Sequence, residues 1–362
     1  MKLVPHSAPH THSGNAVSSV MLHVIIALLP ATLFGIYIFG FPALNIVLIT
    51  IISALIAEAI SLRIAGKPIT SHLLDGSAFL TGLLLALTLP PWAPWWIAVF
   101  GSFFAIIVGK HIFGGLGQNV FNPAMLARVA LLVSFPLEMT TWIDIKPLFS
   151  PAAPDFIESL KITFLGIPNF DAVSSASLMG HLRTELTLDN NVSEALATAN
   201  YSIANASIGL IAGSIGETSS LLILLGGLYI LYKRIISWHI PLTMLATIFI
   251  LASVFYLVDS ERYADPFFHI FTGGVILGAF FIATDLVTSP NTKLGQVIFA
   301  FSIGALVYII RTWGGYPEGI GFAVLLMNAM VPLIDHYIKP RIYGRDRKGS
   351  PISMPEKNDQ EI

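Results

Sequence analysis

Long apolar runs separated by short polar turns make up most of the chain. Five runs precede residue 136, at about 21–40, 42–62, 77–90, 92–110 and 120–135. Five more follow residue 217, at about 218–233, 239–258, 267–287, 294–311 and 318–338. A transmembrane helix needs about 20 mainly apolar residues. The pattern therefore predicts an all-α membrane protein with about ten transmembrane helices.

The polar segment between the two sets of runs divides the chain into five parts. We predict a cytoplasmic N-terminal tail at 1–20, a first five-helix membrane half at 21–135, a large extracytoplasmic loop at 136–217, a second five-helix half at 218–338 and a basic cytoplasmic tail at 339–362. The run that ends at Pro90 is short for a full span. It is either a half-helix or is completed by the polar residues before it.

Composition supports a membrane location and restricts the chemistry. Charged residues make up only 11% of the chain and hydrophobic residues 55%, whereas soluble domains carry about 25% charged residues. The absence of cysteine excludes disulfides, cysteine-ligated iron–sulfur clusters and thiol nucleophiles. Redox chemistry would therefore need an organic cofactor or a partner's metal. His6, His10 and His12 lie in the polar tail without a spacing that fixes metal geometry, and we predict no metal or catalytic residues.

The basic residues fall on one side of the predicted topology. If all ten runs span, that side holds Lys2, Arg63, Lys67, Lys110, Lys233, Arg234, Lys293, Lys339, Arg341, Arg345, Arg347 and Lys348. Between residues 136 and 200, eight acidic residues accompany only three basic ones. Because cytoplasmic loops are rich in Lys and Arg, both termini are predicted to be cytoplasmic and the 136–217 loop extracytoplasmic. The expected surroundings are a lipid bilayer, and no nucleic-acid partner is predicted.

The two halves share a weak internal repeat. The glycine-led, proline-stopped run 76–91 resembles run 273–290 at an offset of 197, and His111–Gly115 resembles Arg311–Gly315 at an offset of 200. A duplicated unit of five spans must have its second copy upside down. We therefore predict an inverted five-plus-five repeat, an architecture whose binding sites form near the midplane where broken helices meet.

Several ionisable residues lie in or near apolar runs: Glu58, Arg128, Asp285, Asp335 and His336. A charge at mid-span costs at least about 2.5–3.5 kcal/mol, so such residues usually face a cavity or a partner. For Arg128 the alternatives are a functional role and a structural ion pair or carbonyl contact. Glu58 and Asp285 lie close enough to the ends of their runs to be solvated instead.

The glycine-rich turn at 114–124 precedes the last run of the first half. Its backbone amides could bind a phosphate or the edge of a flavin. No strand precedes this turn, so it matches neither a Rossmann nor a P-loop pattern. Close packing between helices is the alternative explanation for the glycines, and the sequence does not separate the two.

Several short motifs, taken in order, resemble one family. They are Leu74–Ser77, Leu87–Pro91, Gly109–Gly115, Phe121–Ala124, Thr284–Pro290 and Gly314–Gly319. Together they resemble the D subunit of the Rnf (Rsx) ion-translocating electron transport complex, whose sister is the B subunit of the sodium-pumping NADH:quinone reductase. The resemblance covers essentially the whole membrane part. It implies a bacterial inner-membrane component of a six-subunit complex that passes electrons between ferredoxin and NAD while ions cross the membrane.

The resemblance also implies a covalent flavin in the polar segment. The family's D subunit carries FMN, joined through its phosphate to the threonine that ends a Ser-x-Ala-Thr motif. The matching residues here are Ser174, Ser175, Ala176 and Ser177. Ser177 is the expected attachment site, a serine where the family has threonine, and a flavin transferase would be needed for maturation. Ser174 or Ser175 is the alternative acceptor, and riboflavin as a second flavin stays open.

Two functions follow from these observations. The first is a flavin-carrying electron-relay component of an ion-translocating oxidoreductase, without catalytic acid–base residues of its own. The second is a small-solute channel or transporter, because inverted five-span repeats also occur in proteins that resemble urea channels. The long polar segment with its hydroxyl-rich stretch at 170–180 favours the first function, because a channel has little need of it.

Overall fold

The computed structural model describes residues 16–166, 174–175, 177–199, 201–316, 318–340 and 344 of the chain. Most of both predicted tails, together with Ala176, lie outside the described residues. The described part is mainly helical, which confirms the predicted all-α class. Five of its helices are long and apolar enough to cross a membrane, as judged by length and composition.

The first apolar half contains two long helices followed by shorter ones. Its elements are α1 (Val17–Phe39), α2 (Phe41–Ile64), α3 (Ile69–Leu73), α4 (Ser77–Thr88), α5 (Trp95–Phe103), a π-helical continuation (Phe104–His111) and α6 (Pro123–Ser134). Gly40 alone joins α1 to α2 at φ 78° and ψ −166°, a positive-φ conformation that glycine adopts at little cost. Asn122 caps α6, because its side chain accepts a hydrogen bond from Met125 N.

The polar segment is a folded unit made largely of short helices. Its elements are α7 (Pro136–Thr140), β1 (Trp142–Ile143), α8 (Phe156–Leu165), β2 (Ser174–Ser175), α9 (Leu178–Thr187), α10 (Val192–Thr198), α11 (Ile203–Ile208) and a 3₁₀ turn (Ile215–Glu217). The two strands pair antiparallel. A small apolar core lies under α9 and α10 and includes Leu178, Leu182, Ala195 and Phe268.

The second apolar half has its long helices in the middle and at the end. Its elements are α12 (Ser220–Tyr232), α13 (His239–Val258), α14 (Pro266–Phe271), α15 (Val275–Leu277), a π-helical segment (Gly278–Ile282), α16 (Lys293–Trp313) and α17 (Ile320–Tyr337). The run expected at 267–287 is interrupted after α14. Gly273, at φ 67°, lies in the interruption. The short run before Pro90 likewise gives only the 12-residue α4.

Corresponding helices of the two halves pack in a related way. Helix α2 packs on α5, and α13 packs on α16, while α1 contacts α12 and α6 contacts α17 across the halves. The α1–α12 approach is close, because a Cβ added to Gly226 would overlap with the backbone oxygen of Ala27. The main apolar core is continuous across both halves.

The polar segment covers the turns at one end of the helix bundle. Lys146 N donates to Ile38 O at 3.1 Å, and Ile215 N donates to Leu89 O at 3.4 Å. On the second half, Val192 N donates to Glu261 O at 2.9 Å. At the opposite end, Lys67 Nζ donates to Gly114 O at 2.9 Å. The turns beside the polar segment and the turns rich in basic residues therefore lie at opposite ends.

Candidate functional site

Ser177 lies at the N-terminus of α9, inside the polar segment. Its side-chain oxygen accepts a hydrogen bond from Gly180 N at 3.2 Å, so serine acts here as the N-cap. Just before it, the backbones of Ser174 and Ser175 pair with Ile143 and Trp142. The residue that the sequence matched to the family's threonine is therefore held at a helix start, between a strand pairing and a helix.

A cavity of about 30 Å³ lies beside Ser177 and reaches the interface between the two apolar halves. Its lining includes Arg128 from α6, Ser177 and Glu217 from the polar segment, and Gly273 and Glu318 from the second half. The structure thus brings together two residues that the sequence singled out separately, Ser177 and Arg128. It adds two carboxylates, Glu217 and Glu318, that the sequence reasoning missed.

Arg128 carries a buried nitrogen that faces no acceptor. Its Nη1 is buried and has no hydrogen-bond partner within the described ranges. Arg128 makes none of the salt bridges found in that part of the chain. It also lines a second cavity of about 50 Å³ with Thr88, Ser214 and Phe322. The ion pair or carbonyl contact that the sequence left open for this residue is therefore not found there.

Glu318 is neutralised by a buried arginine. Arg311 forms a salt bridge with Glu318 and donates from Nη1 to His269 O at 2.7 Å and from Nη2 to Thr272 O at 3.0 Å. A Cβ on Gly273 would overlap with both side chains of the pair. Arg311 inside an apolar run is the signal that the sequence offers for this pair, although Arg311 served above only in the alignment of the repeat.

Glu217 stabilises the start of the second half. It forms a capping box with Ser214, whose backbone N donates to Glu217 Oε2 at 3.4 Å. The 3₁₀ turn that carries Glu217 contacts both α1 and α4. One oxygen of this carboxylate is therefore used within its own turn, while the side chain also lines the cavity.

Helix α9 is also attached at a point beyond Ser177. Arg183 donates from Nη1 to Tyr316 O at 3.3 Å and from Nη2 to Gly314 O. These carbonyls belong to the turn between α16 and α17. Helix α9, which Ser177 caps, is thus bound to the second half. Its N-terminus borders a cavity that is also lined by Arg128 of α6.

Glu58 is part of a buried ion cluster at the opposite end. Lys110 Nζ lies 2.8 Å from Glu58 Oε1 and 2.8 Å from Ser77 Oγ. His111 Nε2 lies 3.0 Å from Glu58 Oε2. Lys110 and Glu58 are each only 2% exposed. The pairing of Glu58 with Lys110 replaces the solvated position that the sequence allowed for it.

Asp285 borders a cavity of about 110 Å³ between the halves, together with Lys110, Asn122 and Phe281. Its carboxylate accepts hydrogen bonds from Val287 N and Thr288 Oγ1, each at 3.2 Å. The other two ionisable residues are less enclosed. Asp335 accepts two hydrogen bonds from Asn291 at the end of α17, and the neighbouring His336 is exposed.

The glycine-rich turn after the π-helical continuation does not mediate helix packing. Gly114, Gly115 and Gly117 all have positive φ. A Cβ on Gly117 would meet nothing within 4 Å, and a Cβ on Gly115 would meet only Lys67 Nζ, at 3.8 Å. These glycines are therefore explained by backbone conformation, and the close-packing explanation was wrong for them.

Comparison with known proteins places this architecture in a family. The profile of the NQR2, RnfD, RnfE family matches residues 4–344. The chain is 51% identical over 347 residues to the D subunit of the ion-translocating oxidoreductase complex of Halorhodospira halophila, covering 96% of this chain and 97% of that protein. It is 54% identical over 338 residues to the D subunit of the same kind of complex in Stutzerimonas stutzeri, covering 93% and 95%. The corresponding protein of Rhodobacter capsulatus is 48% identical over 307 residues, covering 85% of each chain.

These matches span nearly the whole length of the chain and of its relatives. They confirm the resemblance drawn from the short motifs and, with the apolar helices, make the chain a multi-pass membrane protein. The chain belongs to the NQR2, RnfD, RnfE family.

Proposed function

We propose that the chain is the flavin-carrying membrane component of a complex that couples electron transfer, on the ferredoxin and NAD side, to ion translocation. The names of its relatives support a role in an ion-translocating oxidoreductase complex. The observation that carries the flavin assignment is the position of Ser177, at a helix N-terminus beside a cavity between the halves. A channel function gains no comparable support from a folded polar segment.

The proposed cofactor is FMN, attached through its phosphate to Ser177 Oγ by a flavin transferase. The donor would be an activated flavin phosphate such as a flavin dinucleotide: its P–O–P bond breaks, the nucleoside monophosphate leaves, and the serine proton is released. The flavin would supply reversible electron transfer. A helix N-terminus favours a negatively charged group, because its first backbone N–H groups are unpaired within the helix. Ser177 meets the chemical requirement with its primary hydroxyl. Ser174 and Ser175 are weaker candidates, because β2 ends before α9 begins and neither residue caps that helix.

The proposed membrane architecture is an inverted repeat of five and five spans in the bacterial inner membrane. Matched helices start at nearly equal offsets: α2 at Phe41 and α13 at His239, α5 at Trp95 and α16 at Lys293, α6 at Pro123 and α17 at Ile320. In this proposal the polar segment is extracytoplasmic and both termini are cytoplasmic. The proposed partners are the other subunits of a six-subunit complex.

The flavin assignment is tested by expressing the complete chain with its flavin transferase. The denatured protein is run on a gel and inspected for flavin fluorescence. We expect fluorescence in the wild type and in Ser177→Thr, and loss in Ser177→Ala. Ser175→Ala is the matched control and should stay fluorescent. Mass spectrometry of the tryptic peptide 162–183 should locate the adduct, because Lys161 and Arg183 bound it.

Two outcomes would contradict the assignment. Absence of fluorescence in the wild type would refute the covalent flavin. Fluorescence that survives in Ser177→Ala would show that the flavin is attached to another hydroxyl. Riboflavin is proposed as an additional, non-covalent flavin without assigned residues. Mass spectrometry of flavins released by acid from the purified protein would detect it.

A further inference from the structure

The Arg128 guanidinium has one buried nitrogen, Nη1, without a hydrogen-bond partner in the described part of the chain. Leaving a buried donor unpaired is costly, and more so when it is charged, so native proteins rarely do it without a ligand or a solvent partner. The side chain that carries this unpartnered donor borders the same cavity as Ser177.

Two carboxylates also line this cavity, and each has a hydrogen-bond partner other than Arg128. Glu318 pairs with Arg311, and Glu217 Oε2 accepts from Ser214 N. Neither carboxylate forms a salt bridge with Arg128 in the described part of the chain. Arg128 is thus a cation beside the cavity with one N–H donor that has no hydrogen-bond acceptor in the described part of the chain.

The donors around the cavity favour an oxyanion such as phosphate. A guanidinium pairs with phosphate oxygens through two parallel N–H bonds, which a compact oxyanion can accept. The N-terminus of the ten-residue α9 adds backbone N–H groups beside Ser177.

We propose that Arg128 binds the phosphate that links a flavin to Ser177, so that the flavin phosphate is held between α6 of the first half and α9 of the polar segment. This inference rests on the proposed function in naming the flavin. The phosphate preference of the cavity, however, can be measured without covalent attachment. Arg128 is a positioning residue here, because it would fix the phosphate and leave the flavin ring free to exchange electrons.

The test uses the complete chain, purified in detergent from cells that lack the flavin transferase. Binding of free FMN and of riboflavin is measured by quenching of flavin fluorescence. These two ligands differ only in the phosphate. We expect the wild type to bind FMN at least about tenfold more tightly than riboflavin, the effect of one charge-assisted contact. In Arg128→Gln the ratio should fall to about one, and in the control Arg262→Gln it should be unchanged.

A second variant separates a phosphate site from a structural role. Arg128→Met removes an unpaired buried charge and keeps the volume, so the flavin-free protein should melt at the same temperature or higher. It should also lose the preference for FMN. A marked fall in melting temperature would mean that Arg128 holds the fold, and would overturn the proposal.

The remaining outcomes are distinct. Equal binding of FMN and riboflavin by the wild type, or a preference that survives in Arg128→Gln, would overturn the proposal. Stabilisation by sodium ions but not by inorganic phosphate would assign the cavity to a cation and overturn it too. If the phosphate preference depends on Arg128 but the protein co-expressed with its flavin transferase carries no flavin on Ser177, the phosphate site is supported and the covalent attachment is refuted.

Discussion

Lys110 and Arg128, two basic residues inside the helix bundle, are accommodated in different ways. Lys110 is surrounded by oxygen atoms, with Glu58 Oε1 and Ser77 Oγ each 2.8 Å from its Nζ. Arg128 has a buried Nη1 without a partner in the described ranges. Lys110 therefore has a carboxylate partner, and removing one member of such a buried pair is costly. A buried basic group without such a partner is a point at which an acceptor can bind.

The Glu58–Lys110 pair gives a prediction at this scale. Lys110→Met should leave Glu58 buried without its lysine partner and lower the free energy of unfolding by about 3–5 kcal/mol. The double variant Glu58→Gln/Lys110→Met should recover most of that loss, because no uncompensated charge remains. Thermal unfolding of the purified protein in detergent measures both. If the double variant is as unstable as Lys110→Met, the two side chains do not stabilise each other.

The sequence identified some of the residues that carry buried charge but not their partners. Glu58, Arg128 and Asp285 stand out because an apolar run makes an ionisable residue conspicuous. Lys110 lies 52 residues from Glu58 along the chain, and it enters the core from a π-helical segment. Such a long-range pairing depends on how helices pack, which a single sequence does not encode locally. Glu217 and Glu318 were missed for the same reason.

At the scale of elements, short and interrupted helices distinguish this fold from a simple bundle. Helices α4, α6 and α12 have 12, 12 and 13 residues, fewer than the roughly 20 of a full span. Their ends place Ser77, Asn122 and Ser219 inside the apolar bundle. Hydropathy predicted where these helices occur. It could not predict the interruption of the run at 267–287, because Gly273 is required by the distant Arg311–Glu318 pair.

The contact between α1 and α12 gives a prediction for a pair of elements. Gly226→Leu should force α12 away from Ala27 and lower the free energy of unfolding by about 1–3 kcal/mol. Leu225→Ala is the control, because Leu225 is 54% exposed on the outer face of the same helix. The measurement is the melting temperature of the protein in detergent. A Gly226→Leu protein that melts with the wild type would show that the two helices can separate freely.

At the scale of the whole molecule, the polar segment and the basic turns occupy opposite ends of the bundle. The segment contacts the turns of both halves, through Ile38 and Leu89 on one and Glu261 on the other. The charge pattern predicted such a separation from alternation along the chain, and the assignment of the two ends to the two sides of a membrane stays a prediction. The compact structure of the segment was not predictable, since its helices are short and its core draws on Ala264 and Phe268 from the second half.

The absence of cysteine allows a direct test of sidedness. Single cysteines are introduced at two exposed positions, Asp155→Cys in the polar segment and Ser71→Cys at the opposite end. A membrane-impermeant maleimide should label Asp155→Cys in cells whose inner membrane is intact. It should label Ser71→Cys only after that membrane is permeabilised. Labelling in the reverse order would invert the proposed orientation, and equal labelling of both would contradict the separation of the two ends.

The attachment of α9 to the second half makes the position of Ser177 depend on how the two halves are arranged. The ten residues of α9 span about 15 Å. Arg183 hydrogen-bonds α9 to the α16–α17 turn, while Ser177, the N-cap of α9, borders a cavity lined by Arg128 of α6. Any tilt of one half against the other must change the gap between that N-cap and α6. The distance between the Ser177 hydroxyl and α6 therefore depends on the spacing between the two halves.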